Sequence, residues 1–485
     1  FGYHPSIRLA FKKNFTDSEW EQLLYRELEA KRPVICSGNN HAFVCDGFDG
    51  DYFHFNWGWG GNLDGYFKLS ALKTGKNNDR LFQTIIVNIR PDSQQDNNSK
   101  TVNVTKPGTL KQYISDKEEN TITALTIVGK LNGKDFQLLR KMAGGTETIW
   151  EDSGELRKLD LSNAQIAEDQ ENPYTTLDLI KELGSLSISG KYTPDKKPRT
   201  YKLETITPAQ WDTVCQLSNN QAKTKRWKYI KKNDKYCMEY FTRENEITSY
   251  LFKDCSNLIE LTLPKSSLKI GQLAFFNCIS LQQMEIPAPT LDIHPRAWQG
   301  CLSMQAINTN ASNTHFKSNN GILYTKDLAS LIYYPSYKTD DSLEMPQSVS
   351  KMHSYTFDEA LFLKEIKLSD QIKTIPRYTF YVCPSLQSIR IPKGVTELYS
   401  NTFYLCTNLS TVYLPSTIQK LDNGLFYRCN DLTDIYCESV TPPAVTAKTF
   451  DCITAKDDVN LWVPKGTVEL YKQSPWNCFK NITEL

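Results

Sequence analysis

The run YTFYVCPSLQSIRIPKGVTELYS, residues 378–400, is followed directly by NTFYLCTNLSTVYLPSTIQKLDN, residues 401–423. The two runs align without a gap, so that a phenylalanine, a cysteine, a leucine and an apolar residue before proline recur every 23 residues. A unit this short cannot bury its apolar side chains alone, and copies must stack to form a common core. The repeat therefore predicts a solenoid with one short strand per turn.

The same spacing extends along much of the chain. The aromatic position is occupied by Phe252, Phe275, Trp298, Phe357, Phe380, Phe403 and Phe426, and the cysteine position by Cys255, Cys278, Cys301, Cys383, Cys406 and Cys429. The step from Trp298 to Phe357 is 59 residues, so an insertion is expected around residues 308–338. We expect a buried ladder of aromatic side chains with reduced cysteines beside it. The cysteines lack the close Cys-x-x-Cys spacing of metal sites, and no metal or other cofactor is predicted.

Residues 251–485 resemble the BspA-like leucine-rich repeats of bacterial surface proteins. Residues 101–250 are assigned to the segment that often leads into such arrays and to an irregular region. Within it, the sequence leaves the fold of residues 188–250 open. Residues 91–100, PDSQQDNNSK, contain no large apolar side chain and are predicted to be a linker.

Residues 1–90 have the pattern of a mixed α/β unit. Thr16-Asp17-Ser18-Glu19 predicts a helix N-terminus, and Pro33 limits the helix that follows. The predicted strands, separated mostly by glycine, asparagine and aspartate turns, are Val34–Cys36, Ala42–Cys45, Tyr52–Asn56, Tyr66–Leu69 and Thr84–Ile89. The unit is therefore expected to form a small sheet with one helix.

Candidate chemistry is concentrated in two runs of this unit, HAFVCDG from His41 and FNWGWGG from Phe55. His41 opens one predicted strand and Asn56 ends another. If these strands are antiparallel neighbours, the Asn56 carboxamide can accept a hydrogen bond from the imidazole and fix its tautomer. That arrangement is the base half of a Cys-His-Asn site.

These runs, with the helix and Asp64-Gly65-Tyr66-Phe67, resemble streptopain, a family of secreted bacterial peptidases with the papain fold. The resemblance covers residues 1–90. It implies that His41 is the catalytic base, that Asn56 orients it, and that Trp57 shields their contact from water. The expected fold is thus an α+β papain-like half-domain followed by a leucine-rich-repeat solenoid of parallel stacked turns.

The family's nucleophilic cysteine lies upstream of the histidine at the start of a central helix, and this chain shows no such segment. Cys36 and Cys45 lie on predicted strands, where no helix N-terminus lowers a thiol pKa. We expect both to be inert and His54 to be structural. The chain as given, which does not begin with Met, is therefore expected to be a piece without the nucleophile and inactive by itself.

Three functions remain open from the residues. The first is a cysteine endopeptidase whose repeat arm adheres to a surface or recruits substrate. The second is a non-catalytic repeat protein that binds or adheres and carries a dead peptidase remnant. The third is a two-chain enzyme whose nucleophile lies on a separate chain. The first is preferred, with a protein or peptide substrate and a host or surface protein as the ligand of the repeats.

Composition excludes several other classes. Lys+Arg number 56 and Asp+Glu 55, so no overall charge favours nucleic acid, and the basic run at residues 223–232 is interpreted as a solvated face. No window of 18 apolar residues predicts a membrane span, and no signal peptide opens the chain. By resemblance the location is extracellular or at the cell surface.

Overall fold

The protein is described from a computed structural model, which covers residues 8–12, 17–38, 41–58, 60–61, 64–69, 84–87, 89, 98–145, 154–178, 185–188, 199–202, 206–219, 227–232, 235–446, 448–450, 453 and 458–485. The chain divides into two compact units, with the boundary after Asn97. Most of the predicted linker and the predicted Thr16 cap lie outside the described residues.

The first unit is an antiparallel sheet with one helix, α1 (Asp17–Glu29). Its strands are β1 (Arg8–Phe11), β2 (Val34–Gly38), β3 (His41–Asp49), β4 (Tyr52–Asn56), β5 (Gly65–Phe67) and β6 (Thr84–Val87), in the order β1-β6-β2-β3-β4-β5. The helix buries Trp20, Leu23 and Leu24, which share its apolar face. Five of the six strands match predicted runs, and β1 was not predicted.

The second unit begins with a parallel sheet that continues into the repeats. Its first strands are β7 (Ser99–Val104), β8 (Ala124–Leu131) and β9 (Lys158–Ile166), with the helices α2 (Asp116–Thr121) and α3 (Gly133–Met142) and a short 3₁₀ helix, Leu110–Tyr113, between them. Strand β9 pairs in parallel with the first strand of the repeat sheet, Glu260–Thr262. The segment before the repeats therefore shares their core.

The region left open by the sequence is ordered in its described parts. It contains β12 (Arg199–Lys202), α4 (Pro208–Asn219), β13 (Trp227–Lys232) and β14 (Lys235–Tyr240), and two strands come before it or end at its first residue, β10 (Thr175–Asp178) and β11 (Ser185–Ile188). Strands β11 and β12 form one antiparallel pair, and β10, β14 and β13 form a second sheet. The description of residues 188–250 as irregular is corrected for the described residues, because β13 and β14 pair across a hairpin that sets Trp227 opposite Tyr240 and Lys228 opposite Glu239.

The repeats form a solenoid of parallel strands, as the sequence predicts. The strands before the insertion are β15 (Glu246–Ile247), β16 (Glu260–Thr262), β17 (Lys269–Ile270), β18 (Gln283–Ile286), β19 (Asp292–Ile293) and β20 (Ala306–Thr309). Those after it are β24 (Ser342–Glu344), β25 (Glu365–Lys367), β26 (Ser388–Arg390), β27 (Glu397–Leu398), β28 (Thr411–Leu414), β29 (Lys420–Leu421), β30 (Asp434–Cys437), β31 (Asn460–Val463) and β32 (Asn481–Glu484). Helix α5 (Val468–Lys472) and the 3₁₀ helix Pro475–Cys478 lie near the end of the chain.

The predicted aromatic ladder is confirmed. Phe357 stacks on Phe380 at 5.0 Å between ring centroids, Phe380 on Phe403 at 5.5 Å, and Phe403 on Phe426 at 5.8 Å. All four rings are fully buried. Because each parallel strand repeats its neighbour after 23 residues, equivalent rings fall on top of one another.

The repeat cysteines have a defined role in this core. Five of the six donate their S–H to the carbonyl oxygen of the aromatic residue 26 positions earlier, as Cys383 does to Phe357 at 3.1 Å and Cys406 to Phe380 at 3.2 Å. The same bond is made by Cys278, Cys301 and Cys429. Cysteines in the described residues are free thiols, so the prediction that the repeat cysteines are reduced is confirmed there.

The expected insertion is an antiparallel meander of β21 (Phe316–Asn319), β22 (Ile322–Thr325) and β23 (Leu331–Tyr333). It supplies rings where the 23-residue step is broken. Tyr333 packs on Trp298 and Tyr334 packs on Phe357, each with 5.3 Å between ring centroids. The ladder thus continues through the insertion with tyrosines in place of phenylalanine.

Within the part of the chain that the structure describes, no helix has the length and apolar character that crossing a bilayer requires.

Candidate functional site

Strand pairing in the first unit decides which side chains can meet. Strands β3 and β4 are antiparallel neighbours, as the site prediction required, with Cys45 opposite Phe55 and Val44 opposite Asn56. Side chains on a strand alternate between the two faces. His41 and Cys45 therefore share the face of Phe55, whereas Asn56 lies with Val44 on the other face.

His41 is held by a backbone carbonyl. Its Nε2 lies 2.8 Å from the carbonyl oxygen of Trp57. A carbonyl oxygen can only accept, so Nε2 must carry the hydrogen, and in the neutral imidazole Nδ1 then carries the lone pair. The site therefore fixes one tautomer of His41, the one in which Nδ1 can accept a proton.

This arrangement differs from the predicted hydrogen bond between the Asn56 carboxamide and the imidazole. The Asn56 side chain is exposed, and its Oδ1 accepts from the backbone N–H of Gly58 at 2.9 Å. The prediction was wrong about the partner because it used only the nearness of two strand ends. The alternation of faces along paired strands decides against the direct contact.

Trp57 contributes both its backbone and its ring. The ring centroid lies 4.6 Å from that of Phe43 and 5.6 Å from that of Phe55. His41 packs beside the same group, with its ring centroid 6.2 Å from that of Phe43. The carbonyl was missed from the sequence because a backbone acceptor is present in every residue type and leaves no signal. The shielding role expected of the indole stays a prediction.

The two cysteines of the unit are buried in the sheet. Cys36 on β2 and Cys45 on β3 have no exposed surface. Burial raises the pKa of the Cys45 thiol to about 12, with a smaller contribution from the Asp46 carboxylate, and burial also raises the pKa of Cys36 well above its usual value. A thiol with so high a pKa forms almost no thiolate at neutral pH, which agrees with the expectation that both are inert.

A second imidazole lies on the exposed face of the same sheet. His54 Nδ1 is 2.6 Å from Asp46 Oδ1, and its ring centroid is 5.0 Å from that of Tyr66. The register of β3 against β4 shifts between Cys45 and Gly47, and this bulge directs Asp46 toward His54. No pattern in the sequence predicts this pair, because the bulge in the strand pairing decides it. The expectation that His54 is structural remains a prediction.

In the described residues, no group of three or more histidine, cysteine, aspartate or glutamate side chains is placed to hold a metal ion. His41 is held on the Trp57 carbonyl in an α+β unit, and the other unit carries a repeat solenoid. The class of protein with which these features agree is a peptidase-like segment joined to a leucine-rich-repeat region.

Comparison with known families agrees with this class. Residues 1–67 match the Peptidase C10 family, and residues 245–339 and 333–450 match six copies of the BspA type leucine-rich-repeat region. The chain therefore carries a Peptidase C10 segment at its N-terminus and BspA-type repeats after it.

Relatives with known names are similar to part of this chain. Streptopain of Streptococcus pyogenes is 37% identical over 103 residues, which is 19% of this chain and 26% of streptopain. Thiol protease/hemagglutinin PrtT of Porphyromonas gingivalis is 42% identical over 80 residues, which is 16% of this chain and 9% of that protein. The chain thus spans about a quarter of the length of streptopain.

Among solved structures, a leucine-rich repeat protein from Eubacterium ventriosum is similar with a TM-score of 0.43 and 16% identity, over 76% of this chain and 80% of that one. A leucine rich cell surface protein from Faecalibacterium prausnitzii has a TM-score of 0.35 and 25% identity, over 43% of this chain and 59% of that one.

Proposed function

We propose that the first unit supplies the general base of a cysteine endopeptidase and that the repeats recruit a protein substrate or adhere to a surface partner outside the cell. The hydrogen bond from His41 Nε2 to the Trp57 carbonyl carries this proposal. It leaves Nδ1 as the proton acceptor that a thiol nucleophile needs. The match of residues 1–67 to the Peptidase C10 family supports the same reaction class.

In the proposed reaction, His41 Nδ1 takes the proton of a cysteine thiol, and the thiolate attacks the peptide carbonyl. The imidazolium then gives this proton to the leaving amine as the C–N bond breaks, which leaves an acyl-enzyme thioester. Water, deprotonated by Nδ1, attacks the thioester and releases the acid and the thiol. Throughout these steps Nε2 keeps its hydrogen and donates it in a hydrogen bond to the Trp57 carbonyl, which holds the ring in place.

Cys36 and Cys45 are poor candidates for the nucleophile. Both are fully buried, and burial raises the pKa of each thiol. The five cysteines of the ladder that donate to carbonyl oxygens are committed to the core in the same way. We therefore propose that none of these seven cysteines is the nucleophile, and that it lies elsewhere on the polypeptide or on a separate chain.

The test compares residues 1–485 alone with the polypeptide in which they occur in the cell, using an unstructured protein substrate with and without a thiol alkylating agent. We expect residues 1–485 alone to be inactive and the cellular polypeptide to show activity that alkylation abolishes. His41→Ala should lower that activity about 10²–10⁴-fold, because general-base catalysis is lost.

The matched control is His54→Ala, which removes an imidazole from the exposed face of the same sheet. Its activity should stay close to that of the unchanged protein. Thiol-dependent hydrolysis by residues 1–485 alone, lost on Cys36→Ser, would overturn the proposed source of the nucleophile. An unchanged rate in His41→Ala would overturn the proposed base.

A second candidate function is a binding or adhesion protein whose peptidase segment is inactive. Rows of stacked tyrosines on the repeats favour it, since Tyr404 stacks on Tyr381 and Tyr427 at 5.0 and 4.8 Å and Tyr427 is 37% exposed. Tyrosine is enriched at protein interfaces. In this case the cellular polypeptide shows no thiol-dependent hydrolysis. A surface protein that binds the unchanged chain should bind His41→Ala equally well and should not bind Tyr404→Ala.

A further inference from the structure

The peptide group between Trp57 and Gly58 has a hydrogen bond at each end. Its carbonyl oxygen, which belongs to Trp57, lies 2.8 Å from His41 Nε2. Its N–H, which belongs to Gly58, donates to Asn56 Oδ1 at 2.9 Å. The C=O and N–H of one peptide lie in a single plane and point in opposite directions. A side chain that fixes the N–H therefore also fixes the carbonyl that holds the histidine.

The preceding peptide group is fixed as well. The backbone N–H of Trp57 donates to Asp64 Oδ1 at 2.8 Å. Asp64 directly precedes β5, which pairs with β4, so the sheet itself brings this carboxylate to the end of β4. Trp57 is thus held on both sides, by Asp64 at its own N–H and by Asn56 at the peptide that follows.

A glycine at position 58 makes such restraint necessary. Gly58 has φ +74°, in the left-handed region that other L-residues rarely adopt. Glycine adopts positive and negative φ with similar ease, so the Trp57–Gly58 peptide can rotate about its flanking bonds at little conformational cost. After such a rotation the carbonyl points away from His41, and the tautomer is no longer fixed.

We propose that Asn56 and Asp64 are positioning residues that act on His41 through the Trp57 backbone. Asn56 holds the Trp57–Gly58 peptide in the orientation that aims its carbonyl at Nε2, and Asp64 holds the peptide before it. Asn56 thereby orients the imidazole without touching it, from the opposite face of the sheet. The inference rests on the proposed function for its catalytic meaning, whereas the geometry that it explains belongs to residues 1–485 alone.

The test measures the tautomer of His41 directly, in residues 1–485 labelled with ¹⁵N at the histidine rings. The ¹⁵N chemical shifts of Nδ1 and Nε2 report which nitrogen carries hydrogen, and the resonance of His41 is assigned as the one lost in His41→Asn. In the unchanged chain we expect the Nε2–H tautomer of neutral His41. Asn56→Ala should shift both ring nitrogens toward the values of a tautomer mixture and should move the Trp57 carbonyl ¹³C resonance.

Asn56→Asp is the matched variant, because it keeps an oxygen that can accept from Gly58 N–H while lacking the amide NH₂. It should keep the Nε2–H tautomer. Asp64→Ala and Asp64→Asn form a second pair of variants. The Nε2–H tautomer of His41 should be lost in Asp64→Ala and kept in Asp64→Asn. This pair remains informative if Asn56→Ala disrupts folding. The ring shifts of His54, which is bonded to Asp46 on the other face, should not move in any of the four.

Unchanged His41 ring shifts in both alanine variants would overturn the inference. So would loss of the tautomer in Asn56→Asp while the His54 shifts stay native, since that result would show that an acceptor oxygen at position 56 does not suffice to hold the Trp57–Gly58 peptide. The readout does not involve peptide hydrolysis. If the tautomer responds as expected but the cellular polypeptide shows no peptidase activity, the positioning role stands and the proposed function fails.

Discussion

Aromatic side chains pack differently in the two units. In the repeats, Phe380 lies nearly parallel to its neighbours, with interplanar angles of 14° to Phe357 and 12° to Phe403. In the first unit, the ring of Phe43 meets Trp57 at 37° and Phe55 at 65°. Parallel in-register strands place like residues on one another, whereas antiparallel strands bring unlike residues together at varied angles. Repetition therefore gives a uniform core, and the irregular sheet gives a unique site.

The largest expected effect comes from removing one ring from the uniform core of the repeats. Phe403 is fully buried between two other phenylalanines. Phe403→Ala should lower the free energy of unfolding of the repeat unit by about 3–5 kcal/mol, because the cavity is bounded by rings that the solenoid backbone keeps apart. Urea denaturation followed by circular dichroism measures the loss.

Tyr404→Ala is the control for that experiment, since Tyr404 is stacked on both sides but only half-buried. Its loss should be about 1 kcal/mol, which is the order of an aromatic pair beyond its burial. Equal losses for the two variants would contradict the view that the inner ladder, rather than the outer one, supplies the core.

The sequence predicted most of the repeat unit because a 23-residue period leaves little freedom. Once equivalent positions are known, parallel pairing and stacking follow for Phe252, Phe380 and every ring like them. What it did not predict lies where the period fails. Tyr333 enters the ladder from the meander and packs on Trp298, which no 23-residue step relates to it, whereas Tyr334 lies one such step before Phe357 and begins the second run of the period.

A smaller effect tests the cysteine positions of the repeats. Cys406 Sγ donates to the Phe380 carbonyl at 3.2 Å inside the core. Cys406→Ala should cost about 1–2 kcal/mol, because it leaves a buried carbonyl without this donor and a small cavity. The control is Cys215→Ala on helix α4, where the thiol is only half-buried, and the expected change there is below about 0.5 kcal/mol. Urea midpoints that fall equally for both variants would contradict a specific role of the ladder thiols.

The last expected effect concerns the response of the repeats to acid. His353 in the repeats has its pKa lowered to about 4, first by burial and then by the nearby Lys351 and His294. The unfolded chain takes up a proton near the ordinary histidine pKa of about 6.5, which the folded chain resists. The contribution of His353 to stability is therefore complete above about pH 6.5 and is lost as the pH falls toward about 4.

His353→Gln removes this titration and should make the urea midpoint of the repeat unit fall less between pH 7 and pH 4.5 than in the unchanged chain. Both chains lose stability in acid through their carboxylates, so the difference between them is the quantity measured. Identical pH dependence in the two chains would show that His353 titrates alike in the folded and unfolded states.

For the candidate site, residue types led to the correct strands and to the wrong contact. His41 and the Asn56-Trp57 pair mark the end of the hairpin, and that much follows from the motif. Which oxygen meets Nε2 depends on strand register and on the rotation of a single peptide. Neither the register nor the peptide rotation follows from the identity of the side chains, so a backbone acceptor such as the Trp57 carbonyl is identified only from the structure.

The constant 23-residue spacing of the ladder affects how the gene can change in length. If the 23 codons for residues 378–400 were lost in frame, Phe357 would meet Phe403, and Cys406 would find the Phe357 carbonyl where it now finds that of Phe380. Both of these broken contacts are replaced by contacts of the same kind. Gene copies can therefore gain or lose whole units by unequal recombination and still encode a folded array. The segment that holds His41 has no such freedom, because none of its contacts is duplicated.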